Sequence, residues 1–307
     1  MPLENRRLRE QDRPTRHARR RRPRRSATYN GVSLPRLLAL DLDGTLLGPG
    51  DRIAPEDHQA IGRAMRAGIT VTIATGRITT GALPTAQACG MRGPMVVADG
   101  AVLADTVDGT ALSQHPLHAG VVTDLTHAMG SHALQPFWFL HDEIHGEHGS
   151  EAVAGYVRTW SPRLSLHPTL RHSAAWERRH EVAVAIGVGL REGVERTAQW
   201  LQELHRDSVN VASFPLDREN RWAMLVRDRQ SDKAQGLARL CLREGIEASE
   251  VAVVGDWIND VPMFQWAGRS FAMGQSPDEV AKHATERLTK TAKTGGGVAE
   301  AIGRLLG

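Results

Sequence analysis

Leu37-Leu38-Ala39-Leu40-Asp41-Leu42-Asp43-Gly44-Thr45-Leu46 is the stretch on which the reading of this chain turns. Four apolar residues run without alternation into an aspartate. That is the pattern of a strand buried on both faces of a parallel sheet. Open α/β sheets bind ligands beyond the carboxyl ends of their strands, and Asp41 stands at such an end. Asp43, two residues on, points to the same side if the extended pairing persists. Gly44 then allows a tight turn and presents backbone N–H groups. Two carboxylates this close are costly unless a cation or a proton separates them.

The same punctuation recurs downstream. Pro55 to Ala67 reads as a helix, with Ile61 and Met65 four apart and Gly68 as its stop. Ile69 to Ala74 is a second apolar, β-branched run, ending at Thr75-Gly76-Arg77. Ile78 to Cys89 is helical and closed by Gly90, and Met95 to Ala98 is a third strand followed by Asp99-Gly100. Strand-then-helix units in this rhythm indicate the α/β class with right-handed crossovers. Near the C-terminus, Ser231 to Glu244 reads as a helix and Val251 to Val254 as a strand running into Gly255-Asp256-Trp257-Ile258-Asn259-Asp260. A short helix (Asp260 to Trp266) and a short strand (Ser270 to Met273) follow. Ser276-Pro277-Asp278-Glu279 reads as a capping box with Pro at the first helical position, and Val298 to Leu306 as a last helix.

Residues 115–215 differ from both flanks. Eleven of the fourteen His lie between His115 and His205, so this stretch has a composition of its own. Strands are expected at Gln135 to Leu140, Val182 to Gly187 and Val209 to Phe214, and helices at Ala119 to Met129, Glu151 to Trp160 and Val194 to His205. An α+β insert of ~100 residues is large enough to fold as its own domain. The expected division is therefore a tail without order at 1–33, a core of 34–114 with 216–307, and an insert of 115–215. Within the insert, His141-Asp142-Glu143-Ile144-His145-Gly146-Glu147-His148 invites a metal reading. It is not HExxH, and its Gly and mixed charge suit a turn better. Gly187-Val188-Gly189 with Gly193 is one residue too long for a dinucleotide loop and reads as a strand-to-helix turn.

Charge narrows the function classes. The formal net charge of +3 conceals an asymmetry: residues 1–30 hold eleven Arg against three acids, and the other 277 residues hold 27 basic against 32 acidic side chains. The basic character belongs to the tail, which argues against a uniformly basic nucleic-acid-binding domain. The tail, with Arg19 to Arg25 as its densest part, reads as a solvated segment that would touch nucleic acid or an anionic surface only non-specifically. Two Cys, Cys89 and Cys241, without CxxC or metal spacing, fit a reducing compartment. The longest clearly apolar stretch, Val182 to Leu190, is nine residues, short of the ~20 of a spanning helix. No apolar export segment follows the Arg-rich stretch. A cytoplasmic protein without a membrane partner is expected.

Asp256 and Asp260 add two carboxylates to the edge that carries Asp41 and Asp43. Hard oxygen ligands in this number suit Mg2+, which takes one or two carboxylates, waters and a phosphate. Lys233 stands at the start of a helix, where a lone cation opposes the macrodipole. That placement calls for a nearby anion, an Asp or a phosphate.

These four segments, in this order, resemble the motifs of the haloacid dehalogenase superfamily of phosphohydrolases. Asp41-Leu42-Asp43-Gly44-Thr45 is similar to motif I, Thr75-Gly76-Arg77 to motif II, Lys233 in Ser231-Asp232-Lys233-Ala234 to motif III, and Gly255-Asp256 with Asn259-Asp260 to motif IV. The resemblance covers about residues 36–307. The insert between motifs II and III resembles the C2-type cap of the Cof-type subfamily, as do Phe271-Ala272-Met273-Gly274 and Gly297-Val298-Ala299. Asp99-Gly100-Ala101 stands where that subfamily has Asn-Gly-Ala. An ionised Asp only accepts hydrogen bonds, so a direct phosphate contact is not expected of Asp99.

The resemblance implies a Rossmann-like, doubly wound parallel sheet with an inserted α+β cap. It implies a Mg2+-dependent phosphomonoesterase acting on a small phosphorylated metabolite, such as a sugar phosphate or phosphorylated cofactor, through an aspartyl-phosphate. Asp41 would be the nucleophile and Asp43 the acid and base, a role halide release would not need. Lys233 would neutralise charge. Gly44, Thr75, Gly76, Arg77 and Asn259 would meet phosphate or substrate, and Asp41, Asp43 (through its carbonyl), Asp256 and Asp260 would hold the metal. The alternatives are a phosphotransferase or phosphomutase using the same intermediate, and a binding protein acting through the Arg-rich tail.

Overall fold

The computed structural model describes residues 28–29, 32–216 and 220–307. Thr28–Tyr29 and Val32–Ser33 pair antiparallel, so the last part of the segment expected to lack order is a short ladder. Its β-branched Thr28 and Val32 favour extended backbone. The rest of the Arg-rich stretch lies outside the described residues.

The first strand, β1 (Leu37–Leu40), is buried along its whole length. It leads through a connection that contains a short antiparallel ladder, Leu47–Gly48 with Arg52–Ile53, to helix α1 (Pro55–Arg66), which has Pro in its first turn. Strand β2 (Thr70–Ile73), helix α2 (Thr79–Ala88) and strand β3 (Pro94–Val97) follow. Two strands not anticipated from sequence, β4 (Val102–Asp105) and β5 (Ala111–Gln114), fold back on β3 as an antiparallel meander.

The insert begins with α3 (Ala119–Ser131) and β6 (Gln135–Phe139). The His-rich segment expected to be a turn contains strand β7 (Ile144–Glu147), because Ile144, His145 and Gly146 are buried between neighbouring strands. Helix α4 (Glu151–Val157), strand β8 (Leu164–His167), strand β9 (Val184–Leu190), helix α5 (Arg191–His205), strand β10 (Val209–Pro215) and strand β11 (Arg221–Asp228) complete it. Strand β9 runs directly into α5, as the Gly187 to Gly193 reading required. These strands form one sheet in the order β8-β7-β6-β9-β11-β10. The sheet therefore continues past the boundary expected at 215. Strand β11 is paired on both sides, by β9 and β10, and belongs with the insert.

The chain returns through α6 (Lys233–Glu244), β12 (Val251–Gly255), α7 (Val261–Trp266), β13 (Arg269–Ala272), α8 (Asp278–Ala281), β14 (Glu286–Arg287) and α9 (Gly297–Leu306). The core sheet is parallel, in the order β14-β13-β12-β1-β2, and a single Ala74–Val96 bridge joins β2 to β3. The expected capping box before α8 does not form. Pro277 itself is the N-cap residue, Glu279 pairs with Lys282, and the Ser276 hydroxyl is buried without a partner among the described residues.

Packing follows side-chain alternation. In the insert, Trp138, Ala185, Met224 and Val226 pack under α3 and α5 residues such as Val121, Leu125, Val194 and Leu201. Phe137, Phe139 and Ile186, on the other sheet face, join the apolar cluster that also contains Leu40, Ile73 and Val254 of the core. The insert is thus seated on the core. Thr79 N donates to His141 O at 3.0 Å, and Thr80 Oγ1 donates to Asp142 O at 3.0 Å. A Cβ at Gly81 would lie 2.1 Å from Trp160 O, so the two parts meet without a gap there.

Candidate active site

The register of the core sheet brings the site together. Leu40 lies opposite Val254 on one side and Ile73 on the other. Asp41, Asp256 and Thr75, one or two residues further along, therefore emerge at the same edge. The Asp41 N–H donates to Val254 O at 3.0 Å, which pins the start of the loop.

Helix α6 starts at Lys233, whose preceding residue Asp232 caps the helix by accepting from Gln235 N at 2.8 Å. The Lys233 ammonium is fully buried and donates to Asp41 Oδ1 at 2.7 Å and Asp260 Oδ1 at 2.5 Å. Burial alone would lower the Lys233 ammonium; Asp260 and Asp41 outweigh it and hold it above its ordinary value. Burial pushes the Asp41 carboxyl up, against the pull of Lys233, with Asp260 and Asp256 adding to the rise. Burial, then Asp260, push Asp256 up to about 6.

Asp41, Asp256 and Asp260 present carboxylate oxygens within 4.8 Å of one another. Three carboxylates against one ammonium leave two negative charges, and an all-oxygen donor set suits a hard divalent cation. The three members are not equivalent. Asp260 Oδ1 is taken by Lys233, and Oδ2 accepts from Asp256 N at 2.8 Å and Trp257 N at 3.0 Å. Among the described residues, the Asp256 carboxylate is held by long contacts, from Thr45 Oγ1 and Gln275 Nε2, both at 3.3 Å. Asp41 and Asp256 thus keep lone pairs for a cation, and Asp260 fixes the loop and the ammonium.

Gly44 has a left-handed φ of +79°, and a Cβ there would lie 2.3 Å from Asp256 Oδ2, so only glycine fits. Its N–H points to Leu47 O at 3.3 Å. Thr75 is buried, and its hydroxyl accepts from Arg77 N at 3.2 Å. A Cβ at Gly76 would meet nothing within 4 Å, so that backbone is open.

Arg77 is directed at carboxylates. Its Nε donates to Asp43 Oδ2 at 3.0 Å, and its Nη2 donates to Asp43 Oδ1 at 2.5 Å and Asp51 Oδ1 at 2.9 Å. Burial opposes this charge, but Asp43 and Asp51 outweigh it and hold the guanidinium above its ordinary value. Asp43 keeps 48% of its side chain exposed, so it remains reachable. Asn259 Nδ2 donates to Asp99 Oδ1 at 3.2 Å.

Several residues here carried no sequence signal. Asp51 and Gln275 sit in polar loops, and Gln275 Nε2 also donates to Gly44 O at 2.6 Å. Tyr156 of α4 is 40% exposed and packs edge-on against Trp160. Burial, then the Asp43 charge, push its phenol up, which places Asp43 in its field. Trp257 and Ile258 stay exposed beside Asp256.

Comparison with known proteins bears on the family. Residues 38–302 match the haloacid dehalogenase-like hydrolases. The chain is 28% identical over 252 residues to the pyridoxal phosphate phosphatase YbhA of Escherichia coli, covering 80% of this chain and 90% of that protein. It is 26% identical over 270 residues to the phosphoglycolate phosphatase of Methanopyrus kandleri, covering 88% and 97%. A haloacid dehalogenase-like hydrolase from Bacteroides thetaiotaomicron superposes with a TM-score of 0.75 at 25% identity, covering 88% of this chain and 99% of that structure. A parallel sheet ending in paired carboxylates, a buried lysine clamp and a match spanning nearly the whole described chain lead to one assignment: the chain belongs to the haloacid dehalogenase-like hydrolase family.

Proposed function

We propose that the chain is a Mg2+-dependent phosphatase that hydrolyses the phosphomonoester of a small metabolite, with Asp41 as nucleophile. The observation that supports this best is the Lys233 clamp. Lys233 takes Asp41 Oδ1 and leaves Oδ2 to attack. In the first step the Asp41 oxygen bonds to phosphorus as the ester P–O bond breaks, and Asp43 gives the leaving oxygen its proton. In the second, water attacks phosphorus and returns a proton to Asp43. The P–O bond to Asp41 then breaks, releasing inorganic phosphate. Asp41 and Asp256 would hold Mg2+, with Asp260 behind them; when bound, it offsets negative charge on phosphate and carboxylates.

Thr75 and Asn259 would meet phosphate oxygens, and Arg77, which donates to Asp43, would set that carboxylate in place. Relatives named for pyridoxal phosphate and for phosphoglycolate support a small phosphorylated substrate. The test is turnover of p-nitrophenyl phosphate and of a panel of phosphorylated metabolites with Mg2+. D41N should abolish it, by at least ~1,000-fold. Full turnover by D41N would remove Asp41 from the chemistry.

A further inference from the structure

Ala98-Asp99-Gly100 is the most constrained turn near the site. All three residues have positive φ, of 50°, 52° and 97°. Two successive non-glycine residues in the left-handed region, one of them Ala, are strained, and such strain persists only where the surroundings enforce it. Those surroundings touch three of the four motif segments. Asp99 N donates to Thr75 O at 2.9 Å, and Ala98 N donates to Arg77 O at 2.8 Å. A Cβ on Gly100 would lie 1.9 Å from Asp232 O, the residue before Lys233. Asp99 Oδ1 accepts from Asn259 Nδ2.

A further contact comes from the insert. Arg227, on β11 just before the chain re-enters the core, ion-pairs with Asp99 Oδ2. Side-chain exposure is 14% for Arg227 and 4% for Asp99. A buried ion pair is weak evidence for stability, since desolvation offsets much of its attraction. A strained turn adds to that cost. The pair is therefore better explained by the positions it sets.

We propose that Asp99 is a positioning residue of the phosphate site, holding the Asn259 carboxamide and the insert's Arg227 on one carboxylate, so that Asn259 is set for phosphate only while Arg227 is seated. The proposal rests on the phosphatase reading. Asp99 is suited to this because an ionised carboxylate accepts on both oxygens, whereas Asn would offer one acceptor and no charge. Arg227 is suited because its guanidinium presents several N–H donors in a fixed plane.

A double-mutant cycle tests it, with R227M, N259A and R227M/N259A assayed for kcat, KM and inhibition by orthophosphate. Each single variant should lose about 10- to 100-fold in kcat/KM and bind orthophosphate more weakly, as for groups that orient a ligand-binding side chain. The double variant should lose little beyond the worse single variant, because Arg227 acts through Asn259. D99N should lose activity in the same direction. Losses that multiply in the double variant, or R227M with unchanged orthophosphate inhibition, overturn the proposal and leave a merely structural pair. Where R227M fails to fold, D99N/R227M removes both charges together and takes its place in the cycle. If the wild-type protein with Mg2+ turns over no phosphomonoester, the phosphatase reading fails. Orthophosphate affinity by calorimetry across the same variants then decides the coupling by itself.

Discussion

Lys233 Nζ and Asp41 Oδ1 are 2.7 Å apart although 192 residues separate them in sequence. The ammonium is also shared with Asp260 Oδ1 at 2.5 Å. Removing one partner of a buried charge cluster leaves the others uncompensated. K233M should therefore cost about 3–5 kcal/mol of stability as well as activity. Mg2+ should restore part of that stability, by offsetting the same carboxylates. Urea denaturation with and without Mg2+ checks this. An unchanged midpoint would mean that Lys233 compensates nothing.

Gly44 admits no side chain. G44A would place a Cβ 2.3 Å from Asp256 Oδ2 at a backbone φ of +79°. Asp256 must then turn away, so Mg2+ binding by calorimetry should weaken at least ~10-fold while the fold, read by circular dichroism, persists. Equal Mg2+ affinity in G44A and wild type would contradict the packing.

The pH dependence has a defined sign. Burial first, then Asp260, push Asp256 up to about 6, above its ordinary value of 3.8. The folded protein therefore holds this proton more tightly than the unfolded chain does. The stability contributed is fully present below the ordinary value and is lost as pH rises through 6, amounting to at most about 3 kcal/mol. Metal-free protein should accordingly lose part of its stability between pH 5 and 7.5 through this group. The rise in Tm on adding Mg2+ should grow over the same interval, because Mg2+ takes the ionised form. Thermal melts at the two pH values, with D256N as the control that removes the group, test both statements. A Mg2+ effect larger at pH 5 would refute them.

Insert and core approach tightly at Gly81, where a Cβ would lie 2.1 Å from Trp160 O, beside their shared apolar cluster and the Thr79 and Thr80 hydrogen bonds. G81A should loosen that contact, raising the radius of gyration in small-angle scattering and raising KM more than it lowers kcat. G303A, where a Cβ meets nothing within 4 Å, is the matched control and should change neither. Identical scattering from G81A and wild type would show that the contact yields without opening.

Tyr156 reports on Asp43. Burial and then the Asp43 charge push the phenol up. D43N should bring its ionisation down, visible as an earlier rise in tyrosinate absorbance in an alkaline titration. The chain has only two Tyr, and Y156F identifies which transition is which. A titration unaffected by D43N would place Asp43 outside its reach.

Some of this was legible in the sequence because the signals are local. Strands buried on both faces read as unbroken apolar runs, so Leu37–Leu40 and Val251–Gly255 were visible, and with them the strand ends that carry Asp41 and Asp256. A lysine opening a helix called for an anion nearby, and two supply it. Strands β7, β8 and β11 were not legible. Their polar residues, such as His145, Ser165 and Arg227, are accommodated by neighbouring strands rather than by any period of their own. The Ser276 capping box failed because its local pattern omits the competing Glu279–Lys282 pair.

The sequence by itself determined the core class, the order of the motifs and the chemistry of their side chains, since these follow from apolar runs, turn residues and ionisable groups close together along the chain. Only the tertiary structure decided how the carboxylates are shared out. It gave Asp260 to Lys233 and two backbone N–H groups, Asp43 to Arg77, and Asp99 to Arg227, 128 residues away. The physical reason is that a charge pair forms where burial makes an unpaired charge too costly, and burial depends on which distant segments the sheet and the insert bring together.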